Sequence, residues 1–201
     1  AQATHSKEVR LNALRRAAEL SGDQELLRMV VLTDPEDLEA RLALASMASE
    51  SGDVAGAVSQ YEHIARTHKG TPAAAALYRA AQLRWAVNHD ATGAIEFLGE
   101  ALEEVAHAGT FPEPFLLLSE VYEARGDAGA AAACLTPLFA VISQLSDEVA
   151  AEVLIKTLGG GLVETAFNYI SSLEAERPSS VPIQRAMVQY LRGQRDWQGL
   201  K

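Results

Sequence analysis

The sequence predicts an all-α chain, an α-solenoid of about five stacked helix-turn-helix repeats. Three observations carry that expectation. First, corners recur at near-constant spacing: Gly52, His89, Gly126 and Gly161 are separated by 37, 37 and 35 residues. Second, aspartate follows the corner at Gly22-Asp23, Gly52-Asp53, His89-Asp90 and Gly126-Asp127. Third, side-chain size repeats around it. Five residues after each corner stand Ala57, Ala94, Ala131 and Ala166; nine after stand Tyr61, Leu98, Leu135 and Ile170. Twelve after stand Ile64, Ala101, Leu138 and Leu173, and four before stand Ala48, Trp85, Tyr122 and Thr157. Small residues let two antiparallel helices approach, and large ones at helical spacing fill the seam. A corner glycine ends one helix in the left-handed conformation, and the aspartate beside it caps the next.

Taken in order, the periodicity predicts helix pairs at 7–21/23–32, 36–51/54–68, 72–88/91–107, 112–125/128–145, 147–158/162–176 and 181–193/195–201. In the first pair, Lys7, Arg10, Arg15 and Arg16 interleave with apolar positions, which reads as a helix and not as a secretory leader. Asp34-Pro35 separates the first pair from the second. The linker His68-Lys69-Gly70-Thr71-Pro72 is echoed by His107-Ala108-Gly109-Thr110-Phe111-Pro112, which brackets the third pair. Proline fits at such boundaries, where its missing N–H costs least. The fourth pair contains an uncharged run between Asp127 and Asp147; its alanines and Pro137 mark a buried, kinked helix and not a membrane span. Gly159-Gly160-Gly161 turns the fifth pair, and Arg177-Pro178 ends it. In the sixth, Trp197 and Leu200 have the spacing of a buried face, and the array is expected to continue past the chain. The expected organisation is one array over 1–201, with repeats at about 7–33, 36–70, 72–108, 112–145 and 147–178 and a partial one at 181–201.

This pattern resembles the tetratricopeptide repeat (TPR), a helix-turn-helix unit of about 34 residues. The match is strongest over Leu38–Lys69, in ARLALASMASESGDVAGAVSQYEHIA, and good over Ala75–Ala108 and Pro112–Leu145. The chain departs from it in its 37-residue spacings, in His89 replacing glycine, and in a first unit of 30 residues from Gly22 to Gly52. The resemblance implies a right-handed superhelix of hairpins that docks a protein partner.

Composition narrows the partners. A hydrophobic fraction of 48% excludes disorder, and a single cysteine excludes a disulfide framework. The net charge of −10 repels phosphate backbones and anionic lipid, which argues against nucleic acid and membrane insertion. The charge is uneven: twelve acidic residues and one basic residue, Arg125, lie between Trp85 and Leu154. Arginines gather at both ends.

Catalytic and metal chemistry find no constellation. The histidines, His5, His63, His68, His89 and His107, are not at zinc-ligand spacing and read as surface or linker residues. The glycine triplet lacks the Gly-Lys-Ser/Thr of a phosphate loop, and Cys134 has no basic neighbour to activate it. The pair Glu103-Glu104 reads as solvated helix surface, while Met29, Met47, Met187, Trp85, Tyr122 and Phe139 read as core. The expectation is a protein without enzymatic activity, metal or cofactor.

In a stacked array the first helix of each pair lines the concave wall. Residues ten, six and three before each corner then face the groove: Leu42, Ser46 and Ser49; Arg79, Leu83 and Ala86; Leu116, Glu120 and Glu123; Ala151, Ile155 and Leu158. Glu113, Glu148 and Glu152 flank them. The result is an apolar groove with an acidic rim in its C-terminal half, suited to an amphipathic or basic segment. Lysine and asparagine are missing from the sites where TPR domains grip acidic chaperone tails, which argues against that subtype. Two settings remain open: a bacterial envelope or exopolysaccharide-export scaffold in the periplasm, or a cytoplasmic adaptor or secretion chaperone that sequesters an amphipathic helix.

Overall fold

In a computed structural model, residues 2–105 and 111–194 are described, and among them there is no β-strand. The α-helices are α1 (Gln2–Ser21), α2 (Gln24–Thr33), α3 (Leu38–Glu50), α4 (Val54–Thr67), α5 (Thr71–Asn88), α6 (Ala91–Glu104), α7 (Glu113–Ala124), α8 (Ala128–Ala133), α9 (Asp147–Gly159), α10 (Val163–Glu176) and α11 (Val181–Gly193). A 3₁₀ segment, Thr136–Gln144, follows α8. The expected second helix at 195–201, with Trp197 and Leu200, and most of the linker from His107 to Pro112 lie outside the described residues. The chain divides into two compact units, Ala1–Glu104 and Val105–Lys201.

Each corner has the backbone that its residue type permits. Gly22, Gly52, Gly126 and Gly161 all have positive φ, and His89 takes the same left-handed turn at φ 52°. The following aspartates cap the next helix: Asp23 accepts from the Glu25 N–H, Asp53 from Gly56, Asp90 from Gly93 and Asp127 from Ala130. Leu162 occupies the equivalent place before α10 and supplies no side-chain cap.

The repeating sizes are the core. Ala57, Ala94, Ala131 and Ala166 are buried, as are Tyr61, Leu98, Leu135 and Ile170 and then Ile64, Ala101, Leu138 and Leu173. In the first unit, Leu11, Ala18, Leu27, Val30, Ala40 and Leu44 join α1, α2 and α3. Ala45, Tyr61, Ile64, Ala76 and Ala80 carry the seam on through α4 to α5. In the second unit, Phe139 stacks on Tyr169 with ring centroids 4.7 Å apart, and Phe167 stacks on Tyr190 at 4.4 Å.

Four expectations are corrected. The uncharged run is not one bent α-helix: Pro137 lies in the first turn of the 3₁₀ segment, and α8 stops at Ala133. A proline ring collides with the carbonyl four residues back, here that of Ala133, so the chain tightens to i+3 bonds such as Leu138 N–H to Leu135 C=O, 3.0 Å. Helix α1 begins at Gln2, earlier than residue 7. Met29 is 39% exposed, because it stands about 200° around α2 from the buried Leu27. Glu104 is not solvated surface: its carboxylate accepts from the Gly70 N–H at 2.7 Å and from Lys69 Nζ at 2.9 Å. These bonds hold the carboxyl below its ordinary range, Lys69 contributing most.

Polar side chains tie successive hairpins within each unit. Asp37, nearly buried at the start of α3, accepts from the Ala40 N–H and from Arg15 Nε of α1 at 2.5 Å. Arg41 is buried; it donates to the Pro35 carbonyl at 2.6 Å and to Gln60 Oε1 at 2.8 Å. In the second unit Arg177 donates to the Leu145 carbonyl, to the Ser143 carbonyl and to Asp147 Oδ1 at 2.6 Å.

Candidate docking clefts

Side chains from several helices line open clefts within each unit. In the first unit, α1, α2 and α3 enclose a cleft of about 550 Å³. Its floor is apolar, with Ala18, Leu27, Val30, Ala43 and Met47, and its edge carries Glu39, Ser46 and Glu50. A second cleft of about 370 Å³ continues from Ser46 and Glu50 to Ser49, Tyr61, Arg79, Gln82 and Leu83. The spacing along α3 puts Ser46, Ser49 and Glu50 on one face, and α5 offers Arg79, Gln82 and Leu83 from its facing turn.

This second cleft is polar. The Ser46 hydroxyl donates to Glu50 Oε1 at 3.0 Å, and the Arg79 guanidinium donates to Gln82 Oε1 at 3.0 Å. Burial pushes the Tyr61 phenol up, and the positive charge of Arg79 opposes the shift. Leu83 is half-buried against the α3–α4 seam. Of the expected groove residues in this unit, Ser46, Ser49, Arg79 and Leu83 therefore share one cleft, whereas Ala86 and Leu42, the latter 42% exposed, line neither.

In the second unit a cleft of about 600 Å³ is lined by Glu123 of α7, by Glu148, Ala151, Glu152, Ile155, Lys156 and Gly159 of α9, and by Pro182, Arg185 and Gln189 of α11. Glu123, Glu148, Glu152 and Ile155 are among the expected residues and are brought together here. Glu113, Leu116 and Glu120 share α7 with Glu123 but do not line this cleft. An adjoining cleft shares Ile155, Arg185 and Gln189 and extends over Val181, Val188 and Arg192.

The sequence reading missed the basic wall. Arg185, Gln189 and Arg192 stand 34 residues after Ala151, Ile155 and Leu158, so the same offsets, carried one repeat further, select them. No corner glycine marks that repeat in the sequence. Lys156 was missed as well. It donates to Glu123 Oε2 at 2.7 Å and neutralises that carboxylate.

No reactive centre emerges among the described residues. Cys134 donates to the Ala131 carbonyl at 3.1 Å, and burial pushes its thiol up to about 11. His63 Nε2 lies 3.1 Å from the Pro35 carbonyl, and burial, aided by Arg41, lowers its pKa. No grouping of His, Cys, Asp and Glu suited to a metal ion occurs among the described residues, and no described helix is long and apolar enough to cross a membrane.

No protein-family model matches the sequence, and no curated protein matches it either. Solved structures do. A crystal structure of MamA protein aligns over 87% of this chain and 92% of its own, at 16% identity and a TM-score of 0.56. A second MamA crystal structure aligns over 92% and 96%, at 15% identity and a TM-score of 0.53. MamA is a TPR-type protein, and at such low identity the likeness concerns the fold. Helical hairpins with left-handed corners, capping aspartates, small-residue seams and this alignment agree: the chain has the TPR-type solenoid fold.

Proposed function

We propose that this chain is a non-catalytic scaffold that holds a segment of another protein against its inner helix faces, without a cofactor. One observation carries the reading. Side chains from separate helices converge on open clefts, Ser46 with Arg79 and Leu83 in one unit and Glu148 and Glu152 with Ile155 in the other. Such faces offer apolar floor and fixed polar groups to an extended or helical segment. Nucleic acid is disfavoured by the net charge of −10.

The alanine-rich, loosely matched repeats favour a setting in a bacterial envelope assembly such as exopolysaccharide export. The alternative is a cytoplasmic adaptor or secretion chaperone that sequesters an amphipathic helix. A leader or anchor encoded upstream of Ala1 separates the two.

The docking role is tested by selecting peptides from a random display library on the intact chain. Ser46→Trp and Gln189→Trp place an indole in each set of clefts from exposed positions. Selected peptides are expected to lose about tenfold or more in affinity for one of the two variants, a loss of about 1.4 kcal/mol. Peptides that ignore both substitutions count against docking in these clefts, and turnover abolished by a single substitution restores an enzymatic reading.

A further inference from the structure

The α9–α11 surface is two-signed. Glu148 and Glu152 are one helical turn apart on α9, and Arg185 and Arg192 are two turns apart on α11, so each pair forms a wall on one face. All four side chains are exposed, and among the described residues none of them makes a hydrogen bond or ion pair. Ala151 and Ile155 supply apolar floor in the cleft that holds Glu148, Glu152 and Arg185, and Ile155 and Val188 do so in the adjoining cleft that holds Arg185 and Arg192. Glu123 does not add to the acidic wall, because Lys156 neutralises it.

We propose that this furrow takes a dipolar amphipathic helix of a partner protein, with an apolar stripe on Ile155, a basic flank against Glu148 and Glu152, and an acidic flank against Arg185 and Arg192. The inference rests on the docking role above and names the partner's charge pattern. A uniformly basic segment sets like charges against Arg185 and Arg192, and a uniformly acidic one does so against Glu148 and Glu152. Only a segment with opposite flanks satisfies both walls. Reversing the segment's direction exchanges its flanks, so the walls also fix the direction in which it lies.

Three labelled helical peptides with one shared leucine stripe test this: one with lysines on one flank and glutamates on the other, one with lysines on both flanks, and one with glutamates on both. The two-signed peptide is expected to bind the intact chain about tenfold more tightly than either single-signed peptide, a preference that fades at about 1 M salt. With Arg185→Glu and Arg192→Glu, the all-lysine peptide becomes the tightest. With Glu148→Lys and Glu152→Lys added, the two-signed peptide regains its lead, now lying in the opposite direction. The neutral pair Arg185→Gln and Arg192→Gln narrows the preference over the all-lysine peptide without inverting it.

The proposal is overturned if the all-lysine peptide binds the unaltered chain most tightly, or if wall reversal leaves the preference unchanged. It is also overturned if none of the three binds in a manner blocked by Gln189→Trp. The docking role has its own fate: display-selected peptides that respond to Gln189→Trp but lack paired charges preserve it while removing the charge order.

Discussion

His89 is the one described non-glycine residue with positive φ, at a corner where every equivalent position is glycine. A Cβ in the left-handed region clashes with the following carbonyl, and the edge contact between the Trp85 and His89 rings, centroids 6.4 Å apart, offsets only part of that. His89→Gly is expected to stabilise the fold by about 0.5–1 kcal/mol in denaturant titration. Glycines elsewhere divide sharply by surroundings. A Cβ on Gly160 runs into the Ala132 methyl and the Ala128 carbonyl oxygen, so Gly160→Ala is expected to destabilise by about 1–3 kcal/mol. Gly99, inside α6, has open space around it, and Gly99→Ala is expected to gain about 0.5–1 kcal/mol. His63 contributes a pH dependence. Its folded pKa is lowered, chiefly by burial, so the unfolded chain takes up the proton first as pH falls. Stability is therefore highest above the ordinary histidine value of about 6.5 and declines below it. Melting temperatures across that range, compared with those of His63→Gln, measure the contribution; an unchanged slope in the variant removes His63 as its source.

At the scale of elements, helix ends explain more than helix interiors. Four aspartates cap α2, α4, α6 and α8, so Asp127→Ala is expected to cost about 1 kcal/mol. Helix α10 lacks such a cap, and the Leu162 that stands in its place is 37% exposed. Leu162→Asp is expected to raise stability by about 0.5–1 kcal/mol, read by denaturant titration; no gain indicates that Leu162 holds an apolar contact of its own. The broken element, α8 and the 3₁₀ segment, obeys the same local rule in reverse. Pro137 removes a donor and blocks the α-helical carbonyl geometry, yet Leu138, Phe139 and Ile142 still reach the core through the tighter winding.

The whole molecule is governed by repetition and charge. With a sequence isoelectric point of about 5.0, the net repulsion that keeps copies apart vanishes near that pH. Light scattering is expected to show self-association there and its relief at neutral pH; a flat profile counts against charge as the cause. The corners, caps and buried alanines were legible because each is a local requirement: a left-handed turn needs glycine, a helix start needs an acceptor, and a tight seam needs a small side chain. Met29 and Glu104 were misread because periodicity gives a face without saying what covers it. For Glu104, the deciding partner is an N–H 34 residues earlier in the chain, at Gly70.

The sequence by itself determined the corners, the capping aspartates and the seam residues spaced around them, since these depend on spacing along one or two helices. The tertiary structure alone decided which charges meet across helices. It set Lys156 against Glu123, placed Arg185 in one cleft with Glu148 and Glu152, and put Arg192 in the cleft that adjoins it. An acidic stretch of chain thereby became a two-signed surface. Net charge along a sequence is a sum over neighbours in the chain, whereas the field at a cleft is a sum over neighbours in space.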